Sequence, residues 1–395
     1  IGDLTTIDRS PVPLITTGEM RRFVPIWENK MYLAPCQAHC PAGIPIQQRW
    51  GLIRDGQVDE AVELALGYTP FPAAVCGYLC PNLCMEGCTR NGSRMQPIDV
   101  SLLGKASVDA PAPTTPEKSD KKVAVIGGGP AGISVAWQLN QNGHEAIIYD
   151  TEKELGGKIS SVIPSSRIPK EVLDAELERI REVIPQVHLQ QRLDKKEIQQ
   201  LKTDYDYIVL AAGAWKPRTI TVPGNEHMIK ALDFLADAKT DNINPGKKVV
   251  IIGAGNVGCD VATEAHRLGA KDITLIDVQQ PASFGKERED AEAVGATFRW
   301  PCFTEKITSK GVVLTSGELL PASTVVISIG DAPDTGFLPD DIELERGFVK
   351  VNPVFQTTDP KIFAIGDIVK PGLLTDAIGA GRKAAEAIMA LLAGR

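Results

Sequence analysis

Residues 121–139 read KKVAVIGGGPAGISVAWQL, and the order of features in this stretch decides the fold. A short apolar run gives a strand buried on both faces, a glycine turn follows, and apolar residues at helical spacing come after it. Gly127, Gly129 and Gly132 stand where a tight turn, the close approach of a pyrophosphate and the packing of helix on strand each exclude a side chain. The helix N-terminus beyond them is an anion site. The next strand, HEAIIYD, ends at Asp150, placed to accept hydrogen bonds from the ribose of an adenine nucleotide.

The same plan returns at residues 247–265, KKVVIIGAGNVGCDVATEA. Gly253, Gly255 and Gly258 repeat the fingerprint, Asn256 and Val257 complete the turn, and Asp277 ends the following strand, KDITLIDV. An acid there suits an unmodified ribose and repels a 2′-phosphate, which favours NAD(H) over NADP(H). Two nucleotide sites in one chain suggest a nicotinamide dinucleotide that delivers hydride and a flavin, FAD, that receives it. Such chemistry belongs to the cofactors and asks for no acid–base residue, so no catalytic side chain is expected. The five histidines agree, since they cluster with neither a nucleophile nor paired acids.

Working outward, YDYIVLAAGAW, GVVLTSG, STVVISIG and KIFAIGDIV read as further strands, while KEVLDAELERIREVI and the terminal LLTDAIGAGRKAAEAIMALL read as helices. The fold class expected is α/β, with two Rossmann-like dinucleotide-binding domains, the second inserted in the first, and an N-terminal all-α metal domain. The expected boundaries are 1–107 for the helical domain, 108–122 for a linker (VDAPAPTTPEKSDKK), 123–240 and 336–395 for the two parts of the FAD domain, and 241–335 for the NAD(P)H domain.

Six of the eight cysteines fall in the first hundred residues, as CQAHCP at 36–41 and CGYLCPNLCMEGC at 76–88. Cys76, Cys80, Cys84 and Cys88 have the spacing of one helix face, but Pro81 breaks a helix there and is a common companion of cluster-ligating cysteines. Zinc would be satisfied by the same thiolates. Two Cys-Pro pairs and six thiols beside a flavin fold favour iron–sulfur, with Cys36, Cys40, Cys76, Cys80, Cys84 and Cys88 as candidate ligands. A flavin takes two electrons together and gives them up singly, so such a chain reads as a two-to-one electron converter.

Composition narrows the field further. The net charge of −8 offers no basic field for nucleic acid, and no apolar run approaches the roughly 18 residues of a membrane span. A cytoplasmic location is the expectation, since the sequence also lacks the pattern of a secretory leader.

The segments CPAGIPIQ, CGYLCPNLCMEGCTR, VAVIGGGPAG, the stretch from GGK to IPSSRIPK at 156–170, VLAAGAWKPR, GAGNVGCDVA, ISIGDAPD and AIGDIV followed by TDAIGAGRKAAEAI resemble the glutamate synthase small-subunit family. They also resemble the flavin half of dihydropyrimidine dehydrogenase and subunits of bifurcating transhydrogenases. The resemblance implies an electron-input subunit that oxidises NADH, less readily NADPH, at FAD and passes electrons to one or more 4Fe-4S clusters and a partner redox subunit in a hetero-oligomer. It implies that Gly157, Lys158, Arg167, Gly213, Gly366 and Asp367 lie about the FAD, that Thr375 caps a helix aimed at the flavin pyrimidine, and that Gly330 faces the nicotinamide nucleotide.

Two departures qualify it. The family commonly carries a Cys-x-x-Cys pair before the position of Cys36, where this chain reads WENKMYLAP. On the family pattern one cluster takes Cys40, Cys80, Cys84 and a Gln or Glu, but Gly104 holds that last place here; Cys76 is the substitute. Cys36 and Cys88 then lack partners for a second cluster, so at least one 4Fe-4S cluster is expected and a second is left open. In the nucleotide domain IDVQQP replaces the paired arginines of NADPH-using relatives, which again favours NADH. A disulfide reductase of the thioredoxin-reductase kind is the rival enzyme, but it needs a dithiol by the flavin, and only the single Cys259 and Cys302 follow the linker. A non-catalytic redox scaffold or sensor is the rival outside enzymology.

Overall fold

The computed structural model describes residues 33–92 and 94–394; residues 27–32 of the WENKMYLAP segment lie outside the described residues. In chain order the strands that matter are β1 (Lys122–Ile126), β2 (Glu145–Tyr149), β3 (Val187–His188), β4 (Tyr207–Leu210), β5 (Met228–Lys230), β6 (Lys248–Ile252), β7 (Asp272–Ile276), β8 (Thr297–Arg299), β9 (Thr324–Ile327) and β10 (Ile362–Ala364). The helices are α1 (Ile46–Arg54), α2 (Pro130–Gln141), α3 (Lys170–Val183), α4 (Asn256–Arg267) and α5 (Leu374–Leu392).

Two five-stranded parallel sheets result, in the orders β10-β4-β1-β2-β3 and β5-β9-β6-β7-β8. All strands of the second sheet lie between β4 and β10 of the first, so the insertion expected from the repeated glycine plan is what the chain builds. Parallel strands need crossovers, and each sheet is buried under the helices that supply them. Register then fixes function: Ile126 pairs with Tyr149 and Ile252 with Ile276, which sets Asp150 and Asp277 beside the glycine turns that follow β1 and β6.

Among the described residues no strand precedes Lys122, and the N-terminal region is helical. The run of cysteines is not one helix. A π-helix, Pro72–Leu79, ends at Cys80 in extended geometry, and after Pro81 the backbone of Asn82 turns left-handed at φ 57° before a short helix, Leu83–Glu86. Proline lacks the amide and the φ freedom to carry a helix through.

The helical region is built into the first dinucleotide fold. One apolar cluster joins Ile44, Phe71 and Val75 to Val125, Trp137 and Ile378. Trp137 is fully buried and its indole Nε1 donates to the Leu66 carbonyl at 2.8 Å, so the ring contributes apolar contact without stranding its polar tip. Glu176 of α3, also fully buried, accepts from the Ala73 and Ala74 amides at the start of the π-helix at 2.7 and 2.8 Å, and from Arg179 at 2.9 Å. Burial pushes its pKa up to about 7, and the Arg179 guanidinium and the two amides oppose that rise. Arg179 also fastens the segment expected as a linker, donating to the carbonyls of Ser107, Val108 and Ala110, while Lys122 at its end already belongs to β1. No helix among the described residues is long and apolar enough to cross a membrane.

Candidate functional site

Three cavities hold most of the candidate residues. The largest of these three, about 320 Å³, opens over the C-terminal ends of β1 and β4. It is lined by Gly127, Gly129, Asp150, Gly157, Lys158, Gly213, Gly366 and Asp367, so the structure brings these candidates together. Gly132 stands beneath, where a Cβ would meet the Gly127 carbonyl at 1.9 Å; a Cβ on Gly129 would meet nothing within 4 Å. The first glycine is thus reserved for packing and the second leaves room for a ligand over the N-terminus of α2. One oxygen of Asp150 accepts from the Gly128 amide and the other from the Glu152 amide at 2.7 Å, which locks the carboxylate at the cavity edge. Asp367 is half-buried, which raises its pKa, with Lys158 opposing the rise. The cradle, the helix terminus and the fixed acid fit the diphosphate and ribose of FAD.

Arg167 is placed elsewhere than the resemblance implied. It does not line this cavity but bridges to the inserted domain, donating to Asp260 of α4 at 3.1 Å and to Glu287 at 2.7 Å. Trp215 does line it, with the Lys158 ammonium 5.6 Å from its ring centroid.

A second cavity is lined by Gly255, Asn256, Val257, Gly330 and Asp331. Gly253 and Gly258 lie below, where Cβ atoms would strike the Ser328 and Gly253 carbonyls at 2.1 and 2.4 Å. Asp277 accepts from the Ala254 amide at 2.9 Å and the Gln279 amide at 3.2 Å. Asp331 pairs with Lys158 at 2.9 Å, so a half-buried ion pair links the walls of the two nucleotide cavities.

The third cavity is lined by Cys40, Cys76, Cys80 and Cys84. Burial pushes the Cys84 thiol up to about 12 and the Cys76 thiol well above its ordinary value, with neighbouring thiols adding to both, a rise that a bound cation would oppose. Among the described residues no three His, Cys, Asp or Glu side chains converge closely enough for a single ion, whereas the four cysteines line one cavity. A cluster whose irons are each held by one thiolate fits that arrangement. Cys36 and Cys88 do not line the cavity, although Cys88 is near enough to bear on the pKa of Cys36, which burial raises. At Gly104 a Cβ would meet the Gly77 amide at 2.5 Å and the Pro72 carbonyl at 2.7 Å. A glutamine or glutamate has no room there, and Gly104 packs on Gly77, the residue after Cys76.

Thr375 lies on the opposite side of its helix from the large cavity. It lines the thiol cavity, is 4% exposed, and its hydroxyl bears on the Cys80 thiol, opposing the rise that burial gives that thiol's pKa. The first turn of α5 is in fact the wall between two cavities: Leu374 and Ala377 face the large one, Thr375 and Ile378 the thiols. Gly379 allows this, since a Cβ there would strike the Pro41 carbonyl at 2.2 Å. Cys259 is fully buried with its thiol pushed up to about 11 by that burial, Cys302 is buried too, and neither lines the large cavity.

The pyridine nucleotide-disulphide oxidoreductase model matches residues 121–383, and the dihydropyrimidine dehydrogenase domain II, 4Fe-4S cluster model matches residues 30–114. The chain is 33% identical to the NAD-dependent dihydropyrimidine dehydrogenase subunit PreT of Escherichia coli O157:H7, over 91% of this chain and 92% of that one. It is 31% identical to the NADP(+)-dependent formate dehydrogenase subunit beta of Moorella thermoacetica, covering 90% of this chain and 59% of that protein, so it spans little more than half of that relative. The small chain of glutamate synthase [NADPH] from Escherichia coli K12 is 28% identical over 90% of this chain and 88% of its own length. Among solved structures, T. acidophilum thioredoxin reductase shares the fold at a TM-score of 0.56 and 20% identity, over 69% of this chain and all of that one. With its paired glycine cradles and its thiol-lined cavity, the chain belongs to the pyridine nucleotide-disulphide oxidoreductase family, in the branch that joins this fold to a 4Fe-4S domain and includes the glutamate synthase small chains.

Proposed function

We propose that this chain is the electron-input subunit of a redox complex, oxidising NADH in preference to NADPH with FAD and one 4Fe-4S cluster as its resident groups, and delivering electrons to a partner subunit. The single observation that carries the reading is the shared wall: one turn of α5 separates the nucleotide cavity from the thiol cavity. Bound FAD would accept hydride and release electrons singly, which is what a cluster requires.

The residues supply position. The amides before α2 and the Asp150 carboxylate would hold the FAD diphosphate and ribose, Gly157, Gly213 and Gly366 would keep its approach clear, and Asp367 with Lys158 would lie along the rest. Gly255, Asn256 and Val257 would hold the dinucleotide diphosphate, Gly330 would face its nicotinamide half, and Asp277 would face its ribose. Cys40, Cys76, Cys80 and Cys84 would ligate the cluster. We divide the chain as residues 1–107 for the cluster domain, 123–240 with 336–395 for FAD, and 241–335 for the nicotinamide nucleotide. The NADH preference rests on Asp277, on IDVQQP where NADPH-using relatives carry arginines, and on a relative described as NAD-dependent. The partner is supported by relatives described as subunits. Cys259 and Cys302, single and away from the large cavity, favour electron input over disulfide reduction.

Anaerobic rapid mixing tests it. NADH should bleach the flavin band at catalytic speed, then the cluster band, with NADPH at least tenfold slower and iron near four per chain. A chain that bleaches only with NADPH, holds eight irons, or does not bleach at all defeats the corresponding part.

A further inference from the structure

Arg49 of α1 is 1% exposed. Its Nε donates to the Ala61 carbonyl at 2.9 Å and its Nη2 to the Leu103 carbonyl and the Ser107 hydroxyl at 3.3 and 3.4 Å, while Nη1, also buried, has no partner. None of these acceptors carries charge. A guanidinium taken out of water without an anion costs several kcal/mol, and proteins seldom leave one so. The other fully buried arginine of this region, Arg179, has its carboxylate in Glu176. Ile46, one turn earlier on the same face of α1, lines the thiol cavity, and Leu103, which accepts from Arg49, precedes Gly104, packed against Gly77 beside Cys76. The groups placed to offset Arg49 are therefore the thiols Cys76 and Cys84, which act on it against the lowering effect of burial.

We propose that Arg49 is the built-in counter-charge of the cluster site, a tuning residue that raises the midpoint potential of the group that Cys76 and Cys84 hold. This rests on the proposed cluster at Cys40, Cys76, Cys80 and Cys84. The physics is direct: reduction adds an electron to an already anionic group, and a fixed positive charge in a low-dielectric interior stabilises the reduced form more than the oxidised one.

The test is an EPR-monitored potentiometric titration of the anaerobically prepared full chain, with iron analysis, for the wild type, Arg49→Lys and Arg49→Met. Arg49→Met should disfavour reduction about tenfold or more, a fall of about 59 mV for one electron, and Arg49→Lys should recover most of it because charge alone is required. Loss of iron in Arg49→Met but not in Arg49→Lys equally supports the counter-charge. An unmoved potential with iron retained in Arg49→Met, or equal loss of iron in both variants, overturns the inference while leaving the cluster in place in the wild type. Absence of iron from the wild type overturns the cluster reading, and this inference with it.

Discussion

The two dinucleotide folds are alike at their turns and unlike in what covers them. Gly129 and Gly255 cap their helices with φ, ψ of −80°, −176° and −83°, −179°. The amides of Gly127 and Gly253 both donate at 2.8 Å to the carbonyl ending the neighbouring strand. Asp150 and Asp277 each give one oxygen to the next amide of the turn and the other to the amide two residues on. Yet the first turn is roofed. The Gly156 amide donates to the Gly128 carbonyl at 2.8 Å, a Cβ on Gly157 would lie 2.9 Å from Gly129 Cα, and α5 closes the far side against the helical region. The second is covered less: the Ser283 amide donates to the Ala254 carbonyl at 3.3 Å and the Phe284 amide to Asn256 Oδ1 at 3.0 Å, but Val257 is 41% exposed. A covered cradle suits a resident group and an open one suits a dinucleotide that must leave after each turnover. Identical turns therefore do not mean identical ligands; the surroundings assign them.

The contrast can be attacked where the cover is anchored. Glu176→Ala leaves the π-helix amides and the Arg179 guanidinium buried without an acceptor, and should cost about 3–5 kcal/mol. Calorimetry of the anaerobic protein should show the helical region and the FAD fold failing together, and a melting temperature within a degree of wild type would mean that the two are not built as one body.

The turns themselves come next. Gly129→Val and Gly255→Val sit in backbone any residue adopts and in open space, so the fold should survive both. Gly129→Val should weaken FAD on the order of a hundredfold, about 3 kcal/mol, giving colour loss on gel filtration. Gly255→Val should keep its flavin and raise the KM for NADH instead. Flavin loss in both, or in neither, would erase the distinction between the cradles.

Gly379→Ala should be milder in stability, about 1–3 kcal/mol of strain against the Pro41 carbonyl. Its diagnostic effect is kinetic: cluster bleaching should slow relative to flavin bleaching, because the wall between the cavities is displaced. Equal slowing of both phases would contradict that. The smallest change expected is in Asp277→Ala, where the NADH to NADPH ratio of kcat/KM should fall about tenfold, about 1.4 kcal/mol, with flavin content unchanged. A ratio that does not move would leave Asp277 as a brace for the turn alone.

Much of this was legible beforehand. The glycine spacings, the acids ending the next strands and the return of the chain in KIFAIGDIV follow from periodicity and from steric needs that only glycine meets, so the paired sheets and their insertion could be read directly. Pro81 announced the break among the cysteines. Other parts were not legible because they depend on contacts distant in sequence. Arg49 lies in IQQRWGLIR, where nothing marks it as buried. Arg167 looked like a flavin residue until its partners, Asp260 and Glu287, placed it between domains.

What the amino-acid order determined by itself was the local chemistry: where strands, turns and helices start, which positions must lack a side chain, and which thiols are available to a metal. Tertiary structure alone decided which of these face one another. It set Thr375 on the thiol side of α5, packed Gly104 on Gly77 beside Cys76, and made one turn of α5 a wall shared by two cavities. The physical reason is that a residue's neighbours along the chain fix its backbone, whereas burial, charge compensation and the direction of a side chain are set by elements a hundred or more residues away.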